Sequence, residues 1–76
     1  MDRKNIADDL QLAGYIAEVK DDRLWVEGES DQKVEWVIEE DFDAWWLYEY
    51  TGRSYYSVDA FGSLEEALKA AKTLCL

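Results

Sequence analysis

Five segments of this chain, Gly14–Lys20, Arg23–Gly28, Gln32–Glu39, Ala44–Tyr50 and Ser54–Ala60, alternate in side-chain character with period two or carry strand-type residues. The connections between them are short. Asp21-Asp22 and Thr51-Gly52 suit two-residue hairpins, Glu29-Ser30-Asp31 a three-residue one, and Glu40–Asp43 a four-residue one. Parallel neighbours would need crossovers of about a dozen residues or more, so these lengths admit only an antiparallel meander. They also fix the register, because a slip of one residue would turn every side chain to the opposite face.

With those loops, one sheet face collects Tyr15, Ala17, Val19, Leu24, Val26, Val34, Trp36, Ile38, Trp45, Leu47, Tyr56, Val58 and Ala60, nearly all apolar. That face needs a covering layer. The ends of the chain supply it. In SLEEALKAAKTLCL, Ser63 and Glu66 form a capping box, and Leu64, Ala67, Leu68, Ala71 and Leu74 recur at helical spacing, with Glu65 and Lys69 as an outward i,i+4 pair. Near the start, Asn5 is the expected cap of a short helix carrying Ile6, Leu10 and Ala13, stopped by Gly14. The expected fold is therefore α+β: a five-stranded antiparallel meander with a C-terminal helix and a short N-terminal helix on one face, residues 1–76 forming one domain.

The opposite face carries the functional information. In the expected register Glu18, Trp25, Glu35, Tyr48 and Tyr55 form one row across all five strands, flanked by a row of Lys20, Arg23, Val37, Trp46 and Ser57 and a row of Ile16, Glu27, Lys33, Tyr50 and Arg53. Aromatic rings among carboxylates on an uncovered sheet are characteristic of an interface. The structural account of the same residues is that tyrosine and tryptophan cap sheet faces well and pair across strands.

Residue usage removes most catalytic chemistry. The chain has no histidine, and its single cysteine, Cys75, allows neither an intrachain disulfide nor a thiolate zinc site. Carboxylates remain, but 76 residues offer little scaffold for a paired-carboxylate cleft, so no enzymatic activity is expected. EEDFDAW lacks the order and the glycine of a calcium loop, and neither metal nor cofactor is expected. No apolar run approaches the roughly 20 residues of a membrane span, and MDRKNIADDLQL is charged where a signal peptide is apolar, which leads us to expect a cytoplasmic protein.

Eighteen acidic side chains against eight basic ones give a net charge of −10, and the acids cluster in Asp8-Asp9, Asp21-Asp22, Glu27–Asp31, Glu39–Asp43 and Glu65-Glu66. Such a molecule repels nucleic acid and membranes and attracts basic partners. The aromatic platform has no basic groove to track phosphates, so direct nucleic-acid binding is disfavoured. Carboxylates two apart on a strand, about 6.6 Å, instead present a lattice of negative charge to a site built for phosphates. In being short, strongly acidic and free of catalytic residues, the chain resembles in general character the small phage-encoded proteins that disable host nucleases, restriction enzymes and CRISPR complexes. The resemblance implies a nucleic-acid mimic that blocks a basic protein partner, and it carries no residue assignments.

From the residues themselves, Glu39, Glu40, Asp41 and Asp43 are expected to steer that partner, with Trp46, Tyr48 and Glu35 in close contact and Trp25, Tyr55 and Glu18 completing the surface. The alternative is a structural or adaptor module that dimerises or docks through the aromatic face, its charge serving solubility.

Overall fold

The alternation carries through to the computed structural model, which describes residues 2–75. The elements are α1 (Arg3–Leu12), β1 (Ile16–Lys20), β2 (Arg23–Glu29), β3 (Glu35–Asp41), β4 (Ala44–Tyr50), β5 (Tyr55–Phe61) and α2 (Leu64–Lys72). The strands form one antiparallel sheet in the order β1-β2-β3-β4-β5, so the fold is the expected α+β meander.

Both helices lie on one face. Ala7 and Leu10 of α1 and Ala67 and Ala71 of α2 join Ala17, Leu24, Val26, Trp36, Ile38, Trp45 and Leu47 in a continuous core. Ala67 and Ala71 are fully buried, and their small side chains let α2 approach the sheet closely. α1 covers β1 and β2, while α2 covers β3, β4 and β5. Ser63 caps α2, its Oγ accepting from Glu66 N at 3.2 Å. The cap of α1 is Asp2, whose carboxylate accepts from Asn5 N, so Asn5 sits inside the first turn instead of capping it. Ala13 accordingly lies exposed past the helix end, where Gly14 takes a φ of 100° and turns the chain.

Three of the four loops differ in length from expectation. Asp21-Asp22 is a two-residue turn as expected, with φ values of 50° and 61°. β3 runs on to Asp41, which leaves Phe42-Asp43 as a two-residue turn where four residues were expected. The β2–β3 loop is Ser30–Val34 because Ser30 turns inward: its Oγ donates to Leu74 O at 2.7 Å and accepts from Gln32 N and Val34 N. This knot fastens the loop to the end of α2, where Asp31 N also donates to Lys72 O. The β4–β5 loop is Thr51–Ser54, closed by Thr51 N donating to Ser54 O.

The loop changes shift the register by even steps, which preserves the faces. Trp25 pairs with Glu39 instead of Glu35, and Glu35 with Tyr50 instead of Tyr48. In β5 the parity does change. A bulge between Leu47 and Tyr48 of β4 places one extra residue, Val58, in β5, so Phe61 takes the core position opposite Trp45 and Ala60 turns to the other face opposite Trp46. Tyr56 and Val58, expected in the core, are 58% and 43% exposed on this edge strand, and Val19 on the other edge strand is 41% exposed. The expected core therefore holds in the three central strands and at Ala17 of β1, and fails at Val19, Tyr56, Val58 and Ala60 on the edge strands.

Candidate partner-binding face

Strand alternation sorts the acidic run Glu39-Glu40-Asp41 between two surfaces. Glu40 points to the helix side and is buried, receiving Nε and Nη2 of Arg3 at 2.8 Å each and Leu24 N at 3.0 Å. Hydrogen bonding to Arg3 holds its carboxyl below the usual range despite burial, with the Leu24 amide adding to the effect. Glu40 is thus a clasp between α1 and β3, which corrects its expected place in a partner-contacting turn. Glu39 and Asp41 point the other way, to the face that no helix covers.

On that face Glu18, Trp25, Glu39 and Trp46 stand opposite one another across β1 to β4, carboxylate and indole in alternation. At a strand spacing of about 4.8 Å, Glu18 and Glu39 lie roughly 10 Å apart with an indole between them. Both indoles are anchored: Trp25 Nε1 donates to Glu27 Oε2 at 3.0 Å and Trp46 Nε1 to Asp41 O at 3.1 Å. Lys20 lies 5.0 Å from the Trp25 ring centroid and 3.8 Å from Glu18. Trp25 and Trp46 are half-buried as a result, whereas Trp36 and Trp45 are in the core. Tyr48 follows Trp46 along the same face of β4, its neighbour across β3 being the buried Val37. Burial, then the charges of Glu39 and Asp41, raise the Tyr48 phenol above its ordinary value and so favour its neutral form further.

A second group lies at the other end of the face. Glu35 stands between Glu29 and Tyr50, and Tyr50 and Tyr55 pair with ring centroids 4.7 Å apart. Two carboxylates directly opposite each other on neighbouring strands are unfavourable, and Lys33 at 3.5 Å from Glu29 offsets this only in part. Ile16, Glu27, Glu35, Val37 and Tyr50 line a shallow hollow of about 410 Å³. The structure therefore groups Glu18, Trp25, Glu39, Trp46 and Tyr48, and separates from them Glu35 and Tyr55.

Sequence reasoning missed Phe42. It occupies the tip of the β3–β4 turn with φ 47° and 86% exposure, between Asp41 and Asp43 and at the same end of the sheet as Asp21-Asp22. The expected Glu40–Asp43 turn already contained Phe42; the strand period continuing through Asp41 narrows that turn to Phe42-Asp43 and sets the ring at its tip. Arg23 at 3.1 Å from Asp41 is the local counter-charge. Among the described residues no three acidic or cysteine side chains converge on a metal site, and no helix is long and apolar enough to cross a membrane.

Comparison with known proteins gives a family without an activity. The model of a family described as "Family of unknown function (DUF5495)" matches residues 1–76. The chain is 37% identical over 73 residues to the "Uncharacterized 9.8 kDa protein in Gp55-nrdG intergenic region" of Enterobacteria phage T4, an alignment that covers 93% of this chain and 78% of the relative. No solved structure matches.

Proposed function

The chain belongs to the DUF5495 family and has a bacteriophage relative, and on that premise we propose that it is a non-enzymatic binding protein that occupies a basic nucleic-acid-binding surface of a host protein. One observation carries the reading: the uncovered sheet face alternates Glu18, Trp25, Glu39 and Trp46 across four strands. A surface evolved for nucleic acid offers cations for phosphates and flat apolar positions for bases. Carboxylates and indoles at strand spacing meet both demands from one rigid scaffold. The indoles are held by their own hydrogen bonds, so little side-chain freedom is lost on docking. The protein would act in the host cytoplasm, where such partners are found.

The reading favours a basic partner over self-association of this face. Two copies meeting there would bring acid against acid on a chain of net charge −10. The test is affinity capture from a host lysate, repeated with excess duplex and single-stranded DNA as competitors. A captured nucleic-acid-binding protein that either DNA displaces, and that elutes as salt rises, supports the proposal. Capture that neither DNA nor salt disturbs overturns it.

A further inference from the structure

The two edges of the sheet are finished differently. β1 presents Glu18 and Lys20 and adjoins Asp21-Asp22, and charged side chains of this kind deter strand pairing. β5, YYSVDAF, has no lysine or proline, and six of its seven residues are exposed. Its exposed apolar surface lies on both sides of the strand: Tyr55, 52% exposed, on the helix-free face, and Tyr56, 58% exposed, on the helix side beyond the cover of α2. The part of this strand before its bulge, Tyr55–Ser57, has two aromatic side chains and an unpaired edge, and is a short template for another strand.

Charge identifies the strand that fits. In a molecule of net charge −10, the stretch from Thr51 to Gly62 contains one Arg (Arg53) and one Asp (Asp59), which cancel. A basic partner gains nothing here, whereas a second copy meets its least repulsive surface. We infer that β5 pairs antiparallel with β5 of a second copy, joining two meanders into a continuous ten-stranded sheet. The bulge at Val58 limits regular pairing to the part of the strand before it, so the two-fold axis falls near Tyr56. There the two Tyr56 rings face each other on the helix side and cover one another. A single strand edge with one aromatic pair is a small interface, which makes the dimer weak and concentration-dependent. It leaves the Glu18–Trp46 row free on both copies, and so does not depend on what that row binds.

Sedimentation equilibrium over a dilution series tests the inference, with circular dichroism confirming the fold of each variant. The intact chain should pass from protomer to twice that mass as concentration rises. Association should strengthen with salt, because screening relieves the repulsion between two anions, whereas a complex with a basic partner should weaken. Tyr56→Lys should remain a protomer at every concentration, and Val19→Lys on the opposite edge should behave as the intact chain does. A protomer at all concentrations and salt levels overturns the inference. So does a dimer that survives Tyr56→Lys, or one that is lost in Trp46→Ala and retained in Tyr56→Lys, which would place the contact on the helix-free face.

Discussion

The turn Phe42-Asp43 stores conformational energy that a substitution should release. Both residues have left-handed backbone, φ 47° and 58°, the geometry of a two-residue hairpin turn best served by Asn-Gly. For an ordinary side chain the left-handed region costs about 1–2 kcal/mol, and less for Asp or Asn, so most of the strain belongs to Phe42. With Phe42 86% exposed, removing its ring forfeits little burial. Replacing Phe42 by Asn should return about 1 kcal/mol. Asp43→Gly adds a smaller gain, partly cancelled because glycine gives the unfolded chain more freedom. The net gain of about 1–1.5 kcal/mol corresponds to a rise in Tm of roughly 4–12 °C for a domain of this size. Thermal unfolding followed by circular dichroism measures it, and the same change at Asp21-Asp22, φ 50° and 61°, should give a smaller rise because aspartate already tolerates this backbone. An unchanged or lowered Tm at Phe42-Asp43 would refute the argument, since it would mean that the ring makes a stabilising contact the exposure does not reveal. Strain at an exposed phenylalanine fits the partner contact proposed above.

Three further outcomes are expected. Glu40→Gln should destabilise the protein at neutral pH, and the deficit should shrink as pH falls: the Glu40 carboxyl is held below its usual value of 4.5, so its stabilisation is present above that pH and is lost as acid protonates it in the native state; melts of both proteins between neutral and acid pH read the convergence. Gly28→Ala should cost about 1–3 kcal/mol or more, because its Cβ would fall 2.5 Å from a ring carbon of the buried Trp36, and denaturant unfolding measures the loss. Once a partner is in hand, replacing Glu39, Asp41 and Asp43 by Gln and Asn should slow association and flatten its salt dependence, while Trp46→Ala should speed dissociation, both read by surface plasmon resonance.

The sequence reading reached furthest where local patterns decide the outcome. Alternation in β2, β3 and β4 assigned Leu24, Val26, Trp36, Ile38, Trp45 and Leu47 to the core, all buried in the structure. Ser63 was visible as a cap because its bond to Glu66 N is three residues long in sequence. What stayed hidden depends on distant partners. Ser30 sets a five-residue loop only because Leu74 O is there to receive its hydroxyl, forty-four positions away. The β5 bulge carries no glycine or other local mark in SVDAF, and one extra residue there reversed the faces beyond it. Glu40 reads as one more acid in a run until Arg3, thirty-seven positions earlier, is brought beside it. For the candidate face, which residues share it was legible and which stand opposite one another was not, because even shifts of register change neighbours without changing faces.

The run EEDFDAWWLYEY places the densest charge of the chain beside its largest apolar side chains, and strand geometry separates what the sequence mixes. Period two sends Glu40, Trp45 and Leu47 toward the helices and Glu39, Asp41, Trp46 and Tyr48 away from them, with Phe42-Asp43 as the reversal between the two arms. Of the inward side chains, Trp45 and Leu47 fill the core and the Glu40 carboxylate has three donors. The outward set satisfies no folding requirement of comparable weight. Trp46 is only half-buried, Asp41 meets one cation at the surface, and Glu39 stands between two indoles, while every retained charge adds to the self-repulsion of an already anionic molecule. Surface ion pairs contribute little to stability, so folding alone does not account for keeping these groups together. A hairpin that spends one side of each arm on the core and keeps the other side acidic and aromatic is the rigid scaffold that the proposed contact surface requires.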